Sequence, residues 1–214
     1  MIIGIEGPAG AGKTTMARTV AAEIGAVVIE GGAWYRALTY EAMRLGVSLT
    51  DTDALIDLAR ALNVTVVNGD AGETRICLNG PDVTEALYRP DVSRSVAIVA
   101  RQLSVREEIE PKIVNEVRRT GNVIVVGRHL RKALPEAAIM RITLDDSEIE
   151  RRYRQREGGG QSAIERNEQD VVTGRLLGNF VDGIVEVDVS TMSPDKQADS
   201  LRRFVRDARA THVD

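Results

Sequence analysis

Gly7-Pro8-Ala9-Gly10-Ala11-Gly12-Lys13-Thr14 follows directly on the apolar run Met1-Ile2-Ile3-Gly4-Ile5-Glu6 and leads into a stretch with helical periodicity that ends near Ile24. The spacing is G-x-x-x-x-G-K-[ST] set between a strand and a helix, the pattern of a phosphate-binding loop. Glycines at such a turn let successive backbone N–H groups curl around an anion with no Cβ in the way. The amides of Gly7, Ala9, Gly10, Ala11 and Gly12 are therefore expected to cradle the phosphates of ATP. Lys13 brings a positive charge to the β- and γ-phosphates, the Thr14 hydroxyl is placed to ligate Mg²⁺, and Thr15 lies beside it. The helix that begins at Lys13 directs its partial positive charge at the same anion. A donor site of this kind is the first expectation.

Composition narrows the rest. A chain of 214 residues can bury a real core as one domain with room for a small insertion. The net charge of −4 gives no general reason to bind nucleic acid. Arginines do cluster between Arg151 and Arg156, which suits a phosphorylated small molecule better than a polyanion. Cys77 is the sole cysteine, so no disulfide can form within the chain, and a reducing compartment is expected. The opening residues lack a basic stretch ahead of an apolar one, and no run approaches the ~18 apolar residues of a membrane span. The expectation is a cytoplasmic protein with no membrane partner, a monomer or weak dimer.

Apolar runs bounded by turn residues fall at Ile2–Glu6, Ala26–Glu30, Asn122–Val126, Ala138–Leu144 and Ile184–Asp188. Helical periodicity falls at Thr14–Ile24, Arg106–Arg118 and Asp146–Arg156, with a last helix near Pro194–Ala208 that Ser193 is placed to cap. Continuous Val/Ile strands alternating with helices predict an α/β fold with a parallel sheet covered on both faces. Val64–Val67 and Thr74–Leu78 break the alternation. Separated by Asn68-Gly69-Asp70-Ala71-Gly72, they predict a hairpin inserted between the second and third core strands.

The same residues carry a family resemblance. The loop with its trailing Thr14-Thr15 resembles the phosphate loop of bacterial cytidylate kinases. Glu30-Gly31-Gly32-Ala33-Trp34-Tyr35-Arg36 is similar to their D-S-G-A-x-Y-R segment, and Leu78-Asn79-Gly80-Pro81-Asp82-Val83-Thr84 resembles the motif that closes their β-insertion. Val105-Arg106 sits as their V-R does, and Gly127-Arg128 matches the centre of their D-G-R-D. The arginine-rich stretch near Arg152 and the segment Asp188–Ser193 resemble their lid and adenine-side loop. The resemblance runs from Ile2 to about Val205. It implies a P-loop nucleoside monophosphate kinase fold, with a five-stranded parallel sheet flanked by helices, all within one domain at 1–214. It also implies an acceptor-binding subdomain at 31–100 and a lid at 152–170.

By the same resemblance, Lys13, Arg128 and a lid arginine such as Arg152 serve the transferring phosphate. Arg152 and Ser190 also touch ATP. Tyr35, Arg36, Arg106, Arg128, His129, Arg166 and Asp170 face the acceptor. Arginines suit that task because a guanidinium fork holds phosphate oxygens in two directions. The two strand-end carboxylates have readings of their own. Glu6 is placed to hold a metal-bound water, and Glu30 to bind the acceptor or to take a proton from it as a base.

Several positions depart from the family pattern. His129 and Ala97 stand where an aspartate and a serine help to read cytosine, Val126 stands where an acid lies near the metal, and Thr173 stands where a further arginine belongs. Donor motifs are intact and acceptor motifs eroded. Three functions stay open on this reading. The first is ATP-dependent phosphorylation of CMP, dCMP or a modified nucleotide. The second transfers the phosphate to a hydroxyl of a sugar, aminoglycoside or other natural product, with Glu30 or Glu6 as base. The third is a nucleotide sensor with a decayed site. Trp34 is placed either to stack on a ring-shaped acceptor or to pack the hinge of the subdomain.

Overall fold

The computed structural model of the chain describes residues 1–8, 10–68, 74–128, 130–145, 147–148, 151 and 184–210. The chain divides into two compact units. One is formed by residues 1–28 with 121–214, the other by residues 29–120.

The first unit holds the sheet. Strands β1 (Ile2–Glu6), β2 (Val27–Glu30), β5 (Val123–Gly127), β6 (Ala138–Thr143) and β7 (Ile184–Asp188) lie in the order β2-β5-β1-β6-β7. β1 pairs in parallel with β5 and β6, and β6 with β7. The division falls within β2, with Val27 and Val28 in the first unit and Ile29 and Glu30 in the second. The central strands are largely apolar because helices cover both faces, with Glu6 and Arg141 the charged exceptions. Helix α1 (Lys13–Ile24) buries Lys13, Met16, Ala17, Val20 and Ala21, the i, i+3, i+4, i+7, i+8 stripe of an amphipathic helix. Met16, Ala17, Val20 and Ala21 form one core with Ile3, Ile5, Ile124, Val126, Met140 and Ile142 of the sheet. The last helix, Pro194–Ala210, adds Ala198, Leu201 and Val205 to the same core. The cap expected at its start is present: Ser193 Oγ accepts from the Lys196 amide at 3.4 Å. The short helix α7 (Leu130–Ala133) lies near β1.

Gly7 is the hinge between β1 and the phosphate loop. Its φ is 144°, and a Cβ built there would lie 2.5 Å from the carbonyl oxygen of Ile142 on β6. Only glycine allows this close approach. Gly7→Ala is therefore expected to cost about 2–3 kcal/mol in urea unfolding. A loss below about 0.5 kcal/mol, the level of a neutral surface change, would show that the loop is not held against β6.

The second unit is mostly helical, where the sequence predicts only the hairpin and the helix at Arg106–Arg118. It contains α2 (Gly32–Leu45), α3 (Thr52–Ala61), α4 (Thr84–Leu87), α5 (Pro90–Ala100), α6 (Leu103–Thr120) and the hairpin β3 (Val64–Asn68) with β4 (Thr74–Leu78). The hairpin is antiparallel, in register from Val64↔Leu78 to Asn68↔Thr74; its turn lies outside the described residues. Asp51 caps α3 by accepting from the Ala54 amide at 3.1 Å. Trp34 is 1% exposed on the buried face of α2, so it packs the interior and offers no ring surface for stacking.

Glu116 ties α6 to the hairpin. Its carboxylate accepts from the Val66 amide at 3.1 Å and from Arg119 at 2.7 and 2.8 Å. Burial pushes this carboxyl up, but the Arg119 and Val66 hydrogen bonds outweigh it and hold it below the ordinary 4.5. A carboxyl lowered on folding stabilises the protein above its unfolded value, and that contribution disappears as pH falls through the folded value. Glu116→Gln should therefore be less stable at neutral pH, yet lose less stability than wild type on acidification below about pH 4.5. Parallel acid-unfolding curves for the two proteins would contradict this role.

Candidate active site

The phosphate loop takes the form its glycines allow. Gly10 and Gly12 have φ of 81° and 86°, a left-handed geometry that turns neighbouring N–H groups to one side. Gly12 begins α1 with no side-chain cap, and the first turn of α1 contains no acid. An anion is therefore the natural partner for this helix end. Lys13 is 9% exposed, and its ammonium donates to the carbonyls of Gly7 at 2.7 Å and Pro8 at 2.5 Å. The lysine is thus folded back under the loop that precedes it. Thr14 is half-buried and Thr15 exposed in the first turn of α1.

A cleft of about 630 Å³ opens beside the loop. Gly10, Gly12, Thr15, Met16 and Thr19 form one wall; Ser190 to Asp195, with Gln197 and Ala198, form another; Glu148 and Arg151 complete it. The volume falls in the range of small-molecule sites. Gly10, Gly12, Thr15 and Ser190 are thus brought together, and Ala9 and Arg152 lie outside the described residues. The 190 turn is rigidly built. Ser190 donates to Asp188 through its hydroxyl at 2.6 Å and its amide at 2.9 Å, and the Asp145 amide donates to Ser190 Oγ at 2.9 Å. The Ser190 hydroxyl, then its amide, hold the Asp188 carboxyl below its ordinary value.

Glu6, expected near the metal, is 4% exposed and engaged elsewhere. It accepts from the Arg131 amide at 3.1 Å and forms an ion pair with Arg141 at 3.1 Å. Val126, at the position of the missing acid, belongs to the core that packs α1. Arg128 follows β5 and is half-buried. His129, Arg166 and Asp170 lie outside the described residues, as does the whole 152–170 lid.

In the second unit, two of the expected acceptor arginines are braced against tyrosines. Arg36 donates to the Leu87 carbonyl at 3.1 Å and to Ser93 Oγ at 2.8 Å, with its guanidinium 5.0 Å from the Tyr88 ring centre. Arg106 donates to Glu110 and lies 6.0 Å from the ring centre of Tyr35. Glu30 closes β2 and is half-buried. Tyr88, Ser93 and Glu110 were missed in the sequence because nothing local marks them. Arg141 did leave a signal, a charge inside the apolar run 138–144.

A parallel sheet, a glycine loop and a lysine folded beneath it at the start of α1 define a P-loop nucleotide-binding fold. The cytidylate kinase family model matches residues 3–176. A cytidylate kinase of Pelotomaculum thermopropionicum is 39% identical over 72% of this chain and 68% of its own length. One of Bacillus subtilis is 30% identical over 95% of both. The chain belongs to the cytidylate kinase family and is an ATP-dependent kinase. Among solved structures, a gluconokinase from Sinorhizobium meliloti matches with a TM-score of 0.51 at 17% identity, covering 98% of this chain and 96% of its own. A shikimate kinase from Bacteroides thetaiotaomicron matches at 0.50 and 13%, covering 96% and 98%. At these identities the likeness is one of fold alone. No helix among the described residues is long and apolar enough to cross a membrane.

Proposed function

We propose that this kinase moves the γ-phosphate of ATP to a cytidine nucleotide, CMP or dCMP. The observation that carries the reading is the pair of braced arginines, Arg36 and Arg106, within a chain whose relatives are cytidylate kinases along 95% of its length. A guanidinium already held by Ser93 and Leu87 loses little freedom when it takes a phosphate oxygen. A phosphate acceptor is ionised at neutral pH and needs no base. In this reading Glu30 serves binding only.

The residues divide the work in a way that phosphoryl transfer requires, which is positioning and neutralisation of charge more than covalent chemistry. The loop amides and Lys13 hold the donor phosphates, while the cleft between α1 and Ser190–Ser193 holds the nucleoside. Arg128 and Arg152 neutralise the group in transit. Mg²⁺ accompanies ATP and supplies charge neutralisation at the phosphates when bound. It keeps most of its waters and takes one or two protein ligands. The Thr14 hydroxyl beside the loop would supply one such ligand.

Ala97 and His129 remove two groups that read cytosine in the family, so discrimination among pyrimidines should be relaxed. An ADP-release assay with CMP, dCMP, UMP and an aminoglycoside tests this. Turnover is expected with CMP and dCMP, with UMP within about a hundredfold in kcat/KM. Turnover with the aminoglycoside and with no nucleotide would overturn the reading.

A further inference from the structure

Glu6, Arg141 and Glu186 occupy one row across the carboxyl end of the sheet. The register pairs Glu6 of β1 with Arg141 of β6, and Arg141 with Glu186 of β7. Cross-strand partners share a face, so the three charges line up side by side. Arg141 reaches Glu6 at 3.1 Å through Nη2 and Glu186 at 3.2 Å through Nη1. The Glu6 and Arg141 side chains are 5% and 16% exposed, so water screens this pair little. The other Glu6 oxygen accepts from the Arg131 amide, just beyond Arg128. Alternation along β1 sends Ile3 and Ile5 to the face packed by α1, and Glu6 to the other face. Glu6 is also the last residue before the phosphate loop, and Gly7 already lies hard against Ile142, the neighbour of Arg141.

From this arrangement we infer that Glu6 and Arg141 are a positioning pair for the phosphate loop. The ion pair fixes the strand end from which the loop departs and cancels a carboxylate that would otherwise repel the polyphosphate. Through the Arg131 amide it also sets the segment carrying Arg128. Glu6 acts through Arg141 and the backbone; it does not ligate the metal. The inference rests on the donor half of the kinase reading and is independent of the acceptor.

Calorimetric titration with ATP alone, once in Mg²⁺ and once in EDTA, tests it. The proteins are wild type, E6Q, R141Q, the double variant and R141K, at a temperature where circular dichroism shows each folded. E6Q and R141Q are each expected to weaken ATP binding about tenfold, by the same factor with and without Mg²⁺, and the double variant no further. R141K, which keeps the charge, should recover most of the loss. A merely structural role would lower the melting temperature and leave the affinity of the folded protein unchanged, overturning the inference. So would additive losses in the double variant, or an R141K that binds as weakly as R141Q. E6Q weakening ATP only in Mg²⁺ would make Glu6 a metal ligand instead. If R141Q fails to fold, the E6Q comparison still separates the two roles. An enzyme that binds no ATP in any form would contradict the kinase reading itself.

Discussion

Lys13→Ala is expected to lower kcat/KM by on the order of a thousandfold with every acceptor, read by ADP release. The size follows from where the ammonium sits. It is buried, held by two carbonyls of the loop, and placed at the start of a helix with no acid in its first turn. A charge in such a site needs no rearrangement when charge shifts on the moving phosphate, and water does not weaken it. Lys13→Met, which keeps the buried stem, should fail as badly while folding normally, and thermal melting separates the chemical loss from a structural one. Either variant turning over within tenfold of wild type would show that the donor binds somewhere else.

The second large effect is expected at Arg36. Arg36→Ala should raise the KM for CMP about a hundredfold and leave the KM for ATP within a factor of about three, since a charge-assisted phosphate contact is worth roughly 1.5–3 kcal/mol. Arg36→Lys should recover little. The ammonium cannot donate to Leu87 and Ser93 and still present a second flat edge to phosphate, nor stack on Tyr88 as a guanidinium does. Loss of the same size with a neutral hydroxyl acceptor would mean that Arg36 does not read phosphate. An unchanged KM for CMP would remove it from the site.

How much of this was legible beforehand depends on distance along the chain. The phosphate loop was, because its glycines, lysine and threonine stand within eight residues and each has one evident task. The five sheet strands were, because Val and Ile dominate each of them between turn residues, with only single charges such as Arg141 and Glu186 inside. Of the helices in the second unit only α6 was, through the periodicity at Arg106–Arg118; the other helices were not. α2 and α3 bury residues such as Ala33, Ala37 and Ala59, whose small side chains leave a faint stripe. That unit spans 29–120, whereas the insertion had been placed at 31–100. α6, which carries Arg106, belongs to it through packing on α3 that no local pattern shows.

Some side chains cannot be read from the sequence because their partners are remote. Glu6 looks available to a metal until Arg141, 135 residues away, is brought beside it by the register of β1 and β6. Trp34 looks available to a ring until the helix that carries it turns it inward. In both cases the residue type was read correctly, and the tertiary neighbour decided its use.

Titration of the purified protein with ATP in the presence of Mg²⁺, for wild type beside Lys13→Ala, measures the donor site most directly. One site per chain is expected, with affinity that falls at least tenfold when Mg²⁺ is removed and again when Lys13 is lost. Binding that is absent, or that is indifferent to both the ion and the lysine, would contradict the assignment of the glycine loop and its 630 Å³ cleft to ATP.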